Sequence, residues 1–369
     1  MSLIKLKISN KNANYPIFIG NNIIKLLPRK LRTFCPNVEK VGIVIDKKVL
    51  KKNKSKIKSA LKKYKTVFFQ YSSEEKLKSF SNANNLIEKC ISENFKRSDV
   101  IITFGGGVLG DFSAFAASLI KRGINFVNVP TTLLAQVDSS VGGKTGVNSK
   151  KGKNLIGTFF QPKFVLIDVA FLKTLPKREL ICGYAEILKH AIIKDSSFFK
   201  WLEKNSYEMI NNRNLKLLKI AIKKSCQIKI FFVNRDVHES NLRMTLNFGH
   251  TFAHAIEAKN KYAKNINHGE AVLIGMMLAT KLSHLKKICN FSTLSKIKNI
   301  YEVNNLNYNL KSFFNKKSNK DLVGYMSKDK KNDDKKINLI LLKKIGKTTT
   351  PGKYKISSKN LLKNFNSII

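Results

Sequence analysis

The chain has 369 residues of which 43% are hydrophobic, enough for two domains that each bury a core. Its formal charge is +45, but only eight of its 69 basic residues are arginine, and abundant Asn and Ile accompany the lysine, as A/T-rich codons would produce. The lysines are dispersed with no aromatic-interleaved basic stripe, so no specific nucleic-acid partner is expected, and no apolar run reaches the roughly 18 residues of a membrane span.

From the N-terminus, "MSLIKLKISNKN" lacks the apolar stretch and cleavage site of a secretory signal. An apolar run in "KVGIVIDKKV" ends at Asp46 and leads into a lysine-rich amphipathic helix, whose charges read as a solvated face. "KTVFFQY" reads as a second strand, "SFSNANNLIEKCISENF" as a second helix and "DVIITF" as a third strand. "GDFSAFAASLIKRG" follows as a helix, then "INFVNVP" and, later, "FVLIDVAFL" as strands. Short apolar strands separated by helices predict a parallel α/β sheet. After Pro176 long amphipathic segments follow one another until "KINLILLKKIGK". The expected organisation is therefore an α/β domain over 1–175 and a mainly helical domain over 176–369. Cys35, Cys90, Cys182, Cys226 and Cys289 are odd in number and scattered, with no CxxC pair, which predicts reduced thiols in a cytoplasmic protein.

"DVIITFGGGVLGDFSAFAA" places Gly105, Gly107 and Gly110 in GxGxxG spacing between a strand and a helix. Glycines let the backbone approach a pyrophosphate, and the helix N-terminus offers it N–H groups. The following strand supplies no acid for a ribose; Asp46, ending an earlier strand, is the available one. "VPTTLLAQVDSSVGGKTGVN" and "KGKNLIGTFFQP" concentrate hydroxyls, Asp138, Lys144 and Lys153 in predicted loops, a composition suited to an anionic, polyhydroxylated ligand.

"LNFGHTFAHAIE" sets His250 and His254 one helical turn apart. "HGEAV" adds His268, and "GYAEILKH" adds Glu186 on a helix that also carries Lys189. A carboxylate with two or three imidazoles from separate helices suits an open, catalytic divalent-metal site. HxxxH without a Glu after the first His is not the zinc-protease motif.

These segments together, from "GGGVLGDFSAFAASLIKRGINFVNVPTTLLAQVDSSVGGKTGVN" through "GKNLIGTFFQP", "GYAEILKH", "LNFGHTFAHAIE" and "HGEAV", resemble the 3-dehydroquinate synthase family in content and order. The resemblance spans roughly Asp99 to Gly275 and implies a Rossmann-like NAD-binding N-terminal domain, a mainly α-helical metal-binding C-terminal domain and an active site in the cleft between them. It implies Glu186, His250 and His268 as ligands of Zn²⁺ or Co²⁺, with His254 a neighbour of the ligands or a group facing substrate. For NAD it implies Asp46, Glu75, Lys78, Gly107, Val108, Leu109, Gly110, Asp111, Thr131, Thr132, Lys144, Lys153, Phe171, Leu172, Lys173 and Thr174. For the sugar-phosphate substrate it implies Asp138, Lys144, Asn154, Lys189, Lys229, Arg243, Asn247 and His254. Arg122 would reach the substrate phosphate from a neighbouring subunit, whence a homodimer, and Lys330 or Lys331 from the late segment.

The implied reaction converts 3-deoxy-D-arabino-heptulosonate 7-phosphate to 3-dehydroquinate and phosphate, an early shikimate-pathway step. It makes the chain a phosphate-eliminating carbon–oxygen lyase in which NAD is regenerated. Three rival readings remain at this point: another sugar-phosphate cyclase, a metal-dependent alcohol dehydrogenase of related fold and, prompted only by the +45 charge, a basic nucleic-acid-binding protein.

Overall fold

The structure, a computed structural model, describes residues 3–260, 265–314, 318–327 and 336–369. The chain forms two compact units, Met1–Glu179 with Leu218–Asn234, and Leu180–Leu217 with Arg235–Ile369.

The first unit is built on a seven-stranded sheet. β1 (Ile4–Asn10) and β2 (Ala13–Gly20) make an antiparallel hairpin at one edge. Then come α1 (Leu27–Phe34), β3 (Lys40–Asp46), α2 (Lys47–Ala60), β4 (Lys65–Tyr71), α3 (Phe80–Ser92), β5 (Val100–Gly105), α4 (Gly107–Leu119) and β6 (Asn125–Pro130). β7 (Lys144–Ser149) and β8 (Gly152–Phe159) form a separate antiparallel hairpin, and β9 (Phe164–Asp168) returns to the sheet. The order is β1-β2-β9-β6-β5-β3-β4, parallel from β2 onward.

Strand alternation sorts the core into two layers. Val41, Ile43 and Ile45 of β3 pack with Leu31 and Ile57 on one side. Val44 packs with Leu86, Phe112 and Phe115 on the other. With helices on both faces, the central strands are buried along most of their length and mainly apolar, which is why the sequence shows runs and not alternation. From β3 the chain runs outward to β4, then crosses back to β5 and proceeds the other way through β6 and β9. The strand ends at Asp46 and Gly105 flank this switch point, where open α/β sheets bind their ligands.

The segment from Thr131 to Pro162, expected as loops, is instead largely ordered secondary structure. A π-helical turn spans Ala135–Ser139 and the β7–β8 hairpin follows. The hairpin lies along α4: Thr158 donates to the Ser118 hydroxyl at 3.0 Å near the C-terminal end of α4. Its mixed polar sequence alternates weakly because β8 is largely solvent-facing.

α5 (Lys177–Lys194) carries the chain into the second unit and is buried on nearly all sides from Leu180 to Ile193. α6 (Ser196–Ile210) follows, and then α7 (Leu215–Arg235), most of which groups with the first unit. α8 (His250–Lys259), α9 (His268–Leu285), α10 (Phe291–Val303), α11 (Ser318–Ser327) and α12 (Ser358–Ile368) complete the helices, with short strand pairs among 336–357. All five cysteines are free and buried, as reduced thiols would be. Among the described residues no helix is long and apolar enough to cross a membrane.

Candidate active site

In the first unit, the glycine turn has the features that suit a pyrophosphate. α4 opens at Gly107 after Gly106, with no side chain capping its first turn, so its N–H groups remain for a ligand. A Cβ on Gly106 would stand 3.1 Å from the Thr132 methyl carbon, and one on Gly107 3.0 Å from the Ser139 hydroxyl. At both positions a side chain would be tight, and the Thr132 or Ser139 side chain would have to give by a few tenths of an ångström. Thr131 donates its N–H to the Gly105 carbonyl at 2.9 Å, tying β6 to this turn.

Beside it, Lys78 is buried and donates to Asp111 at 2.6 Å and to the Asn154 side chain. Asn148 donates to Glu75 at 2.7 Å, and its own amide oxygen accepts from Asn154 N–H at 3.0 Å. Asn154 takes a left-handed φ of 54°, which Asn tolerates better than most residues. Burial pushes the Asp111 carboxyl above its ordinary range, with the Lys78 ammonium pulling the other way. Glu75, Lys78, Asp111 and Asn154 are thus one network, with Asn148, unforeseen in the sequence, at its centre.

Asp46 caps α2: one oxygen accepts Lys48 N–H at 2.7 Å and the other Ser73 N–H at 3.2 Å. Val108 is part-exposed, whereas Leu109 and Gly110 are buried; Leu109 offers a ligand only its backbone. Phe171 to Thr174 lie in a 3₁₀ turn whose Leu172 side chain is buried and whose Lys173 and Thr174 are exposed. Lys144 is exposed at the start of β7, and Lys153 is half-buried on β8. Lys229 of α7, 6% exposed, donates to both the carboxylate and the carbonyl of Asp138, at 2.5 Å each. Arg122 is exposed in a turn where Lys121, Arg122 and Gly123 all have positive φ.

In the second unit, His250 and His268 are each the first residue of a helix. α8 starts there because Gly249, at φ +78°, makes the turn: a Cβ on it would meet Met276 N at 2.7 Å. α9 starts at His268 because Asn267 and Glu270 form a reciprocal capping box. Gly269 and Cys182 bring α9 against α5: the Cys182 sulfur accepts Gly269 N–H at 3.2 Å, one turn before Glu186.

Glu186 is fully buried, and the groups that meet its carboxylate oxygens are the charged or ionisable side chains of Lys189, His250 and His268. His250 Nε2 lies 3.5 Å and His268 Nε2 3.6 Å from Glu186 Oε1. The three ligand atoms fall within 4.8 Å of one another. Tetrahedral bonds of 2.0–2.1 Å would set donors about 3.4 Å apart, so these residues fit a divalent ion. Lys189 forms an ion pair with the other Glu186 oxygen. Burial alone would raise the Glu186 carboxyl, but Lys189 and the two imidazoles hold it well below its usual range. Burial, then Lys189, lowers His250. Burial would lower His268 too, yet the carboxylates of Glu186 and Glu257 on its two sides hold it at about 10.

His254 is exposed, its ring 5.6 Å from that of His250. Arg243 is buried; Asp236 accepts its N–H at 3.0 Å and the Val237 carbonyl accepts its guanidinium at 2.7 Å. Glu239 accepts from Asn247 at 2.8 Å and faces Arg243 at 3.9 Å. Sequence reading passed over Glu239; its spacing of four from Arg243 was the available signal. Lys330 and Lys331 lie outside the described residues.

The family model for the 3-dehydroquinate synthase N-terminal region matches residues 68–182, and that for the C-terminal region matches 183–332. A 3-dehydroquinate synthase of Pelagibacter ubique is 44% identical over 94% of this chain and 94% of its own. The chain belongs to the 3-dehydroquinate synthase family. Another member, from Dictyoglomus thermophilum, is 41% identical over 93% of each chain. Among solved structures, a 2-deoxy-scyllo-inosose synthase complexed with carbaglucose-6-phosphate, NAD⁺ and Co²⁺ shares the fold at a TM-score of 0.89 and 22% identity, covering 99% of this chain and 100% of its own. A 2-epi-5-epi-valiolone synthase from Streptomyces hygroscopicus with NAD⁺ and Zn²⁺ bound does so at 0.85 and 23%, covering 98% of each. An alcohol dehydrogenase from Oenococcus oeni is more distant, at 0.70 and 15% over the whole of both chains. The 3-dehydroquinate synthase family, and not the dehydrogenases, accounts for this sequence along its length.

Proposed function

We propose that this chain carries out its family's reaction, converting 3-deoxy-D-arabino-heptulosonate 7-phosphate to 3-dehydroquinate and inorganic phosphate. The observation that carries the reading is the near full-length identity of 44% with a 3-dehydroquinate synthase. The cluster of Glu186, His250 and His268 supports it, as do the NAD⁺ and Co²⁺ or Zn²⁺ named for relatives of the same fold.

NAD held at the glycine turn would supply hydride acceptance from a substrate carbinol and its later return, and a divalent ion held by Glu186, His250 and His268 would supply polarisation of that hydroxyl. The transient ketone acidifies the neighbouring C–H, phosphate is eliminated, and ring opening with an aldol addition closes the carbocycle. Net redox is zero. Glu186, His250 and His268 hold the ion. Gly107, Val108, Leu109, Gly110 and Asp111 present backbone to the pyrophosphate, and Asp46, Glu75 and Lys78 take the nucleoside side. Thr131, Thr132, Lys144, Lys153 and the Phe171–Thr174 turn complete the cofactor contacts.

Lys144, Lys189, Lys229 and Arg243 hold the substrate's carboxylate and phosphate, and Asp138, Asn154 and Asn247 take its hydroxyls. Three of the four cations are almost fully buried, so they act in a medium where charge stabilisation is strong. His254, exposed beside His250, moves the proton at its imidazole.

The protein acts as a homodimer in this reading. Arg122 follows the C-terminal end of α4, a helix of thirteen residues and so about 20 Å from the glycine turn at its start. Within one chain that distance separates Arg122 from the glycine turn, and in the family reading a second copy supplies it to the substrate phosphate.

Product analysis tests the reading. Incubation with the heptulosonate 7-phosphate and catalytic NAD should yield 3-dehydroquinate, while hexose 6-phosphates offered in parallel stay unchanged. A carbocycle formed from a hexose phosphate and none from the heptulosonate would assign the chain to a different cyclase.

A further inference from the structure

His268 has a carboxylate at each ring nitrogen. Its Nε2 faces Glu186 Oε1 at 3.6 Å, and its Nδ1 faces Glu257 Oε2 at 3.5 Å. Glu257 lies seven residues after His250 on α8, two turns along the same face, with a side chain only 11% exposed. A neutral imidazole carries one proton on either nitrogen. Only when that proton sits on Nδ1 does Nε2 offer a lone pair toward Glu186 and His250. A carboxylate behind Nδ1 accepts that proton in a hydrogen bond, selects this tautomer and fixes the ring plane.

His250 has a counterpart of a different kind. Its Nδ1 lies 3.3 Å from the carbonyl of Phe248, which the left-handed turn at Gly249 places there. One imidazole is thus backed by backbone, which substitution leaves in place, and the other by a side chain. We propose that Glu257 is a positioning residue for His268: it accepts the Nδ1 proton and presents Nε2 to the divalent ion. The proposal rests on the reading of Glu186, His250 and His268 as metal ligands.

The test is titration of the metal-stripped full-length protein with Co²⁺, followed by the visible absorption of the bound ion. Glu257→Met keeps length and helix preference but loses the acceptor. It should weaken Co²⁺ binding roughly 10–100-fold and change the band intensities, as loss of an outer hydrogen bond to a ligating histidine does. Glu257→Gln keeps an oxygen that accepts from Nδ1–H and should recover most of that loss. Thermal melting of both metal-stripped variants reports whether the fold is retained. Wild-type affinity and spectrum in Glu257→Met would overturn the proposal, as would a folded Glu257→Gln binding no better than Glu257→Met. Were wild type and Glu186→Ala to bind Co²⁺ alike, the metal-site reading itself would fall, a result distinct from either.

Discussion

Gly275→Ala probes how α8 and α9 hold the proposed metal ligands in register. A Cβ on Gly275 would sit 2.2 Å from the Gly249 carbonyl oxygen and 3.1 Å from Ala253 N, both backbone atoms. Neither can rotate away, so the helices must part by about 1 Å to restore ordinary contact. Overpacking of this kind costs about 1–3 kcal/mol. For a unit of this size that lowers the melting midpoint by roughly 2–4 °C per kcal/mol. Gly249 immediately precedes His250, and Gly275 lies seven residues beyond His268, so the displacement falls on the ligands themselves. Metal distances tolerate only about 0.2 Å, so Co²⁺ affinity should fall by an order of magnitude or more. Differential scanning fluorimetry and Co²⁺ titration read the two effects. Gly324→Ala is the control: a Cβ there meets nothing within 4 Å, and that variant should melt at or slightly above the wild-type temperature. Wild-type stability and metal affinity in Gly275→Ala would refute the reasoning.

Lys144→Ala should lower turnover strongly while the fold persists, since Lys144 is exposed and its loss opens no cavity; unchanged steady-state kinetics would reject its role. Lys78→Met strips the buried partner from Asp111 and should destabilise the first unit by on the order of 2 kcal/mol, discounted because Asp111 is 23% exposed, and weaken NAD binding measured by fluorescence. Without metal, His268 stays protonated up to about 10, so loading must expel that proton. Affinity for Co²⁺ should then rise about tenfold per pH unit between roughly pH 6 and 8, with proton release visible by calorimetry in buffers of different ionisation heat. A flat profile would contradict this. Mixing Arg122→Ala with Lys144→Ala subunits should restore about a quarter of wild-type activity through hybrid dimers, and no recovery would argue against contribution across subunits.

The parallel sheet was readable because strands covered on both faces are apolar at nearly every position, as β5 is from Val100 to Gly105 with Thr103 the exception. The starts of α8 and α9 carry signals that the sequence displays: "NHGE" has its own capping box, and Gly249 precedes His250. The β7–β8 hairpin was not, because a solvent-facing strand rich in Gly, Asn and Thr has the composition of a loop. Nor was the use of Asp46, whose oxygens cap α2 and bind Ser73 N–H, a role set by strand register with β4. Glu239, Glu257 and Asn148 escaped for a common reason. Each makes contacts that exist only once loops and helices have packed, and the one spacing signal, Glu239 four residues from Arg243, does not point to Asn247.

The most direct measurement follows inorganic phosphate and NADH together, with the heptulosonate 7-phosphate in excess over NAD. The account predicts many phosphates released per NAD with no accumulation of NADH, loss of all turnover on chelation, and its return with Zn²⁺ or Co²⁺. Phosphate release that survives complete metal removal, or NADH accumulating in step with substrate consumed, would contradict it.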